Sequence, residues 1–374
     1  MVRAATIVLI LTCFAAWLAL LCSCAGESGP AHSGSGIFSD SGQSLGSSDT
    51  WSVALGDLDG DRDLDLVEGN DGPNLVWTNT GTGVFTDTGQ LLGTYATHCV
   101  GLGDVDGDGD PDIVSGNAQI TQDPDGPSQV WLNNASGLFT SGGEATFSSL
   151  LMSLALGDLD GDGDLDLLEG NYNQPTLVWK NDGTGAFSNT GQYLTTRDTM
   201  SVALGDLDGD GDLDLVRGNQ GINLVTLNNG TGIFTESGQS LGSSLTDGVV
   251  LGDLDGDGDL DFVEGNRAGP NLVWKNDGSG VFSYTGQALG SSDTHAVALA
   301  DLDGDRDLDL VSGNDGPNLV WENNGEGAFT NTGQLLGSSN TRSISLGDVD
   351  GDGDPDIVVG NNYGPNKVYL NIDR

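Results

Sequence analysis

DLDGDRDLD, Asp57 to Asp65, returns six more times in close variants that start at Asp104, Asp158, Asp206, Asp253, Asp301 and Asp348. The steps between starts are 47, 54, 48, 47, 48 and 47 residues, a period that belongs to propellers and repeat arrays rather than to a domain read once through. Each copy sets aspartates at alternate positions: Asp57, Asp59, Asp61, Asp63 and Asp65; Asp104, Asp106, Asp108, Asp110 and Asp112; Asp158, Asp160, Asp162, Asp164 and Asp166; Asp206, Asp208, Asp210, Asp212 and Asp214; Asp253, Asp255, Asp257, Asp259 and Asp261; Asp301, Asp303, Asp305, Asp307 and Asp309; Asp348, Asp350, Asp352, Asp354 and Asp356. These account for 35 of the 56 acidic residues, so most of the acidity of the chain is one site written seven times.

Hard carboxylate oxygens in a glycine-bearing loop suit Ca²⁺, up to seven ions in all. In the first copy Asp57, Asp59, Asp61 and Asp65 are expected to supply side-chain oxygens, and Asp63 its backbone carbonyl. Magnesium demands a tighter octahedron, and the loops hold no His or Cys for a transition metal. An EF-hand is the nearest competitor, because Glu68, Glu169 and Glu264 fall at the twelfth position. Ser115, Arg217, Ser312 and Val359 hold that position elsewhere and no amphipathic helix flanks a loop, so the EF-hand reading fails.

Around each loop the pattern is strand-like: SVALG (Ser52 to Gly56) before it, LDLVEGN (Leu64 to Asn70) after it, then NLVWTN (Asn74 to Asn79), a glycine turn, and GVFTDTGQLL (Gly83 to Leu92). Four short strands per repeat make a propeller blade, and the predicted fold is all-β, a seven-bladed β-propeller with four antiparallel strands per blade. Trp77, Trp131, Trp179, Trp274 and Trp321 share one register position, with Thr226 and Tyr369 in the other two copies. A Phe follows eight residues later in six of them, and both sets read as blade-to-blade core. The seventh repeat ends short of its own Phe, and Phe38 in GIFSDSGQSLG (Gly36 to Gly46) stands at the offset that would supply it. The N-terminal strand is therefore expected to complete the last blade and close the ring.

The expected boundaries are an export or lipoprotein signal over 1–24, a short linker over 25–35 and the propeller over 36–374. Arg3 precedes an apolar run, Ala4 to Leu21, and then LCSCAGES. Two outcomes stay open, lipidation at Cys24 or cleavage after Ala25, and 18 apolar residues are also long enough for an uncleaved anchor. The chain is expected to be exported, either secreted or held as a cell-surface or periplasmic lipoprotein, touching membrane only through such an anchor. Extracellular calcium, near millimolar, would keep even weak sites loaded. The net charge of −45 would become −31 with seven Ca²⁺ (−45 + 14), which disfavours nucleic acid and anionic membrane surfaces as partners. A monomer is expected. Cys99, aligned with Ser52 and Ser201, reads as a small core residue.

The stretch GDLDGDGDLDLVEGN (Gly252 to Asn266) and its siblings resemble FG-GAP/VCBS repeats, the family that builds the integrin α-subunit propeller. The resemblance covers essentially all of 36–374. It implies calcium in the loops between first and second strands on one face and ligands on the other. All seven copies here keep the acidic loop, whereas integrins keep it in only some blades, and no leg domain is expected, so integrin function is not expected to carry over. Seven-bladed fungal lectins with integrin-like repeats are a second comparison, and they imply sugar binding.

The copies differ most at the position six before each loop, which reads Trp51, His98, Met152, Met200, Asp247, His295 and Arg342. This residue begins the innermost strand, at the channel mouth opposite the acidic loops. Tyr172 and Tyr363 lie in loops opening on the same face, the longest of which is Ala118 to Pro127, and Tyr95 and Phe147 lie in nearby connections. Such a rim suits a carbohydrate or an extracellular protein segment bound without catalysis. The alternatives are a lyase-like, calcium-dependent polysaccharide enzyme using His98, His295, Asp247 and Arg342, and a purely structural cell-surface spacer. Those four residues come from blades two, six, five and seven, and their spacing sets no hydrogen bond between them. No GxSxG, HExxH or phosphate loop occurs.

Overall fold

A computed structural model describes residues 11–12, 34–47, 49–117, 127–145, 150–195 and 197–372. Cys24, the linker up to residue 33, the loop 118–126 and Phe147 lie outside the described residues. Within them the fold is an all-β propeller of seven antiparallel sheets, each containing the four strands of one blade, in sequence order from the axis outwards except for the outermost strand of blade seven. Blade one shows the pattern: Thr50–Gly56, Asp65–Asn70, Asn74–Thr78 and Thr86–Leu92. The innermost strands of blades two to seven are Thr97–Gly103, Leu151–Gly157, Thr199–Gly205, Leu245–Gly252, Thr294–Ala300 and Asn340–Gly347. The second strand of blade one, DLVEGN, is buried throughout, while the fourth, TDTGQLL, is almost wholly exposed. A strand covered on both faces reads as a continuous apolar run, and one covered on neither reads as polar.

The ring closes as the repeat arithmetic requires. Phe38–Asp40 pairs antiparallel with Lys367–Asn371 and becomes the outer strand of blade seven. The sheet of blade three carries a fifth strand, Leu11–Thr12, paired with Leu156 and Ala155.

The core is not one mass but seven, each shared by two neighbouring blades. Between blades one and two, Leu58, Val67 and Val76 meet Val100, Leu102, Ile113, Trp131 and Phe139, and Trp77 and Phe85 take the same places between blades seven and one. The Trp and Phe registers are therefore inter-blade packing, as expected. Blade four has Thr226 in place of Trp, and the buried Arg217 lies beside it, its guanidinium donating to Thr226 Oγ1 at 3.2 Å and Thr195 O at 3.1 Å and pairing with Glu236.

Three polar ladders join the blades. In all seven interfaces an Asn at the end of the third strand donates to the carbonyl of the second acidic-loop residue in the preceding blade, from Asn79 to Val349 O and Asn133 to Leu58 O round to Asn371 to Leu302 O, at 2.7–2.8 Å. Ser52, Ser153, Ser201 and Ser343 accept from Val100, Val202, Val249 and Val53 N–H on the next innermost strand. At the rim, Gln43, Gln90, Gln192, Gln239, Gln287 and Gln334 each accept from the backbone N–H of a Phe in the next blade, at 2.8–3.0 Å. Buried polar groups need partners, and here satisfying them also sets the angle between blades.

Candidate functional site at the channel mouth

Every innermost strand breaks register once against its neighbour, between Thr50 and Ser52, Thr97 and Cys99, Leu151 and Ser153, Thr199 and Ser201, Thr246 and Gly248, Thr294 and Ala296, and Thr341 and Ser343. The residue skipped is Trp51, His98, Met152, Met200, Asp247, His295 and Arg342 in turn. An extra residue in one strand of a pair is re-aimed out of the alternation that packs its neighbours. The seven variable residues are thus the ones that the backbone releases from blade packing, about 20 Å along the strand from the acidic loop at its other end.

Five of them form a continuous chain across blades five, six, seven, one and two. Asp247 Oδ2 lies 2.9 Å from His295 Nδ1, which Arg342 Nη1 also approaches at 2.7 Å. The Arg342 guanidinium carbon sits 5.4 Å from the centre of the Trp51 ring, and His98 stacks on that ring at 4.5 Å with 14° between planes. Spacing alone set no such contact between Asp247, His295 and Arg342; the side-by-side packing of consecutive blades supplies it, and ring closure adds the contact of Arg342 with Trp51. Two further residues join from the ends of the second strands: Asp315, just after its strand, whose Oδ1 lies 3.2 Å from His295 Nε2, and Arg267, the last residue of its strand, 3.5 Å from Asp247 Oδ1. Both directly follow a Gly-Asn pair, a position that varies from blade to blade and was the signal available for finding them. Met152 and Met200, on blades three and four, complete the ring with apolar side chains.

Two contacts bear on how these residues could act. Both ring nitrogens of His295 are engaged and the residue is buried, so neither is presented to a substrate proton. The Trp51 ring is half-buried and already carries the stacked His98 and the nearby Arg342 guanidinium. Spare hydrogen-bonding capacity lies in Arg342 Nε, Asn340 Oδ1 and Asn362 Oδ1, buried atoms without a hydrogen-bond partner. Tyr363 is 82% exposed beside this end, its N–H held by Asp49, while Tyr95 and Tyr172 are half-buried.

Burial, with the Arg342 charge behind it, pushes His98 down to about 4. A depressed histidine supports the fold while neutral, so its contribution is complete above about pH 6.5 and is lost as pH falls towards 4. Relative to His98→Gln, the wild-type protein should lose roughly 2 kcal/mol of unfolding free energy between pH 7 and pH 5. Denaturant melts of both proteins at the two pH values measure this, and parallel curves would show that His98 does not titrate with folding.

At the opposite face the acidic loops share one geometry. The position-one carboxylate of Asp57 accepts from Gly60 and Arg62 N–H at 2.8 and 3.0 Å, so the loop wraps its own first residue. Five blades put glycine at the left-handed turn in position six, whereas Arg62 and Arg306 adopt it at φ 79° and 80°. Position nine is buried, and in blade one both Asp65 oxygens accept backbone N–H, from Leu58 and from Asn79. Burial pushes Asp65, Asp112, Asp166 and Asp261 up to about 6, and Asp214, Asp309 and Asp356 up to about 7. The position-seven carboxylates Asp63, Asp164, Asp212, Asp259 and Asp307 lie so close to a turn glycine of the same blade that a β-carbon there would collide with them. They lie against that turn.

The donor set fits a hard cation. Oxygens of Asp57, Asp59 and Asp61, of Asp104, Asp106 and Asp108, and of Asp206, Asp208 and Asp210 converge within 4.8 Å, and in blades three and five Asp158, Asp160 and Asp166, and Asp253, Asp255 and Asp261, do the same. Asp160, Asp255 and Asp350 each keep a buried Oδ1 with no hydrogen-bond partner. The glutamate at position twelve belongs to the blade interior: Glu169 accepts from Trp179 Nε1 at 2.6 Å, and Ser115 and Ser312 accept from Trp131 and Trp321 in the same way.

Comparison with known proteins agrees with this architecture. FG-GAP-like repeats match at residues 57–115, 104–169, 158–217, 206–264, 253–312 and 301–359, and the chain belongs to that repeat family. No curated protein matches the sequence. Among solved structures, an Agrocybe aegerita lectin described as recognising non-reducing terminal N-acetylglucosamine is similar at TM-score 0.52 and 22% identity, covering 84% of this chain and 86% of the lectin. BBS1N, solved in complex with ARL6DN, gives TM-score 0.62 at 11% identity, covering 90% of this chain and 97% of that one. The extracellular domain of a putative hybrid two component system, BT4673 of B. thetaiotaomicron, gives 0.54 at 12% identity, covering 90% of this chain and 39% of that one. At these identities the likeness is one of fold.

Proposed function

We propose that the chain is an exported, calcium-loaded propeller that acts as a non-catalytic binding module, taking a carbohydrate or extracellular protein ligand at the channel mouth opposite the acidic loops. The observation that carries this reading is the ring of seven bulges, because it frees from packing the same seven positions at which otherwise regular repeats differ. A lectin and a protein-complex subunit among structures of the same fold are in keeping with it. Calcium, in this reading, is held by positions one, three, five and nine of the loops and stiffens the platform from below.

The recognising groups are the polar arc, Asp247, Arg342 and Asn362 with the edge of Trp51, rather than an aromatic face. A glycan and extracellular-matrix protein array, probed with and without chelator, should return a calcium-dependent ligand. Arg342→Ala should weaken its binding by about thirtyfold, as for a central anchor. Leu91→Ser, on the exposed outer strand, should leave it unchanged. Equal binding by all three proteins would move the site away from the mouth. Incubating the same ligands and following reducing ends or unsaturated products tests the lyase-like alternative. No binding anywhere on the array would favour the spacer.

A further inference from the structure

Two of the seven acidic loops contain a cation supplied by the chain itself. In blades three and five the residue after the register Trp is lysine, where the other blades have Thr78, Leu132, Leu227, Glu322 and Leu370. The ammonium of Lys180 pairs with Asp160 and reaches Asp162 Oδ2 at 2.9 Å, and that of Lys275 pairs with Asp255 and reaches Asp257 Oδ2 at 3.3 Å. These are positions three and five of their loops. The converging oxygens change in step: positions one, three and five in blades one, two and four, but one, three and nine in blades three and five. The side chain of Asp255, nine-tenths buried, turns one oxygen to Lys275 and keeps the other buried without a hydrogen-bond partner.

We propose that Lys180 and Lys275 split the loops into two classes, with blades three and five forming low-affinity divalent-cation sites whose ions must share or displace a resident ammonium. This rests on the reading of the loops as calcium sites and goes beyond it by assigning affinity to individual blades. The physical reason is local. An ammonium on positions three and five lowers the charge offered to the ion and ties up an oxygen that it would take, and calcium affinity in such loops follows charge count and free ligands. A lysine stem is flexible and the ammonium is partly exposed, so it can swing out when calcium is concentrated. The two blades would then respond to calcium changes over a range in which the other five stay filled.

The test is a calorimetric calcium titration of the chelated full-length protein, with terbium luminescence as a second count of bound ions. The wild-type protein should show five sites and then two that are about tenfold or more weaker. Lys180→Met with Lys275→Met should merge the two into the tight class. Thr78→Lys, which plants the ammonium in blade one, should move one site from tight to weak and so provides a gain-of-effect control if the double variant folds poorly. Seven equivalent sites in the wild type, unchanged by any of the three substitutions, would overturn the proposal while leaving the calcium reading intact. No calcium uptake by any of the proteins would overturn both.

Discussion

Excess chelator should lower the melting temperature of this protein by about 15 °C or more, or unfold it at room temperature. A site at a hundred times its dissociation constant contributes about 2.7 kcal/mol, so a handful of loaded loops exceeds the total stability of an ordinary domain. The geometry explains why the loss would be global. The second residue of each loop is buried and its carbonyl receives the Asn of the next blade, as in Asn133 to Leu58 O. A loop that springs open under repulsion between its own carboxylates therefore releases an inter-blade contact as well as its own turn. Differential scanning calorimetry with calcium, with chelator, and with calcium restored measures the effect. A melt that does not move in chelator would remove calcium from the architecture.

A chain beginning at residue 47 should fail to form a stable monomer, whereas one beginning at residue 34 should fold. The missing segment carries Phe38 and Leu45, both buried, and losing large core side chains costs about 3 kcal/mol each. It also takes the backbone bonds between Ser41 and Val368, Leu45 and Asn366, and Gly36 and Leu302, together with the partner of Gln334. The strand Lys367–Asn371 would then be an open edge, which invites pairing with another chain. Size-exclusion chromatography and thermal melts should show aggregation or a collapsed transition, reversed by adding a peptide of residues 34–46. A monomer with an unchanged melt would mean that the ring needs no such latch.

Much of this was legible because the chain repeats itself. One loop with its flanking strands is an ambiguous acidic turn, but seven in register report which positions pack and which do not. Trp77 and Phe85 were readable as inter-blade core from their constancy, and Phe38 as the closing strand from its offset. Glu68 and Glu169 were excluded as EF-hand ligands by comparison across copies. What they do instead, accepting an indole N–H in the case of Glu169, needed the pairing of the second strand with the third. Arg217 was one of four residues other than Glu at its register position, yet nothing local says that it lies beside Thr226, where the other blades place an aromatic ring.

At the mouth the limit is sharper. The variability of Trp51, His98, Asp247, His295 and Arg342 marks a site, but the members in contact stand 47 or 48 residues apart, or 291 for Arg342 and Trp51, and a contact at such separations has no local signature. The sequence by itself determined the number of blades, the closing strand, the acidic loops and the seven positions that escape the repeat, because periodicity and alternation are one-dimensional consequences of packing. Only the tertiary structure decided that these positions are bulges, that His295 bridges two carboxylates, that His98 stacks on Trp51, and that two lysines sit in the acidic loops. Those outcomes depend on which blades become neighbours when the ring closes and where long side chains end, quantities set by distance in space rather than along the chain.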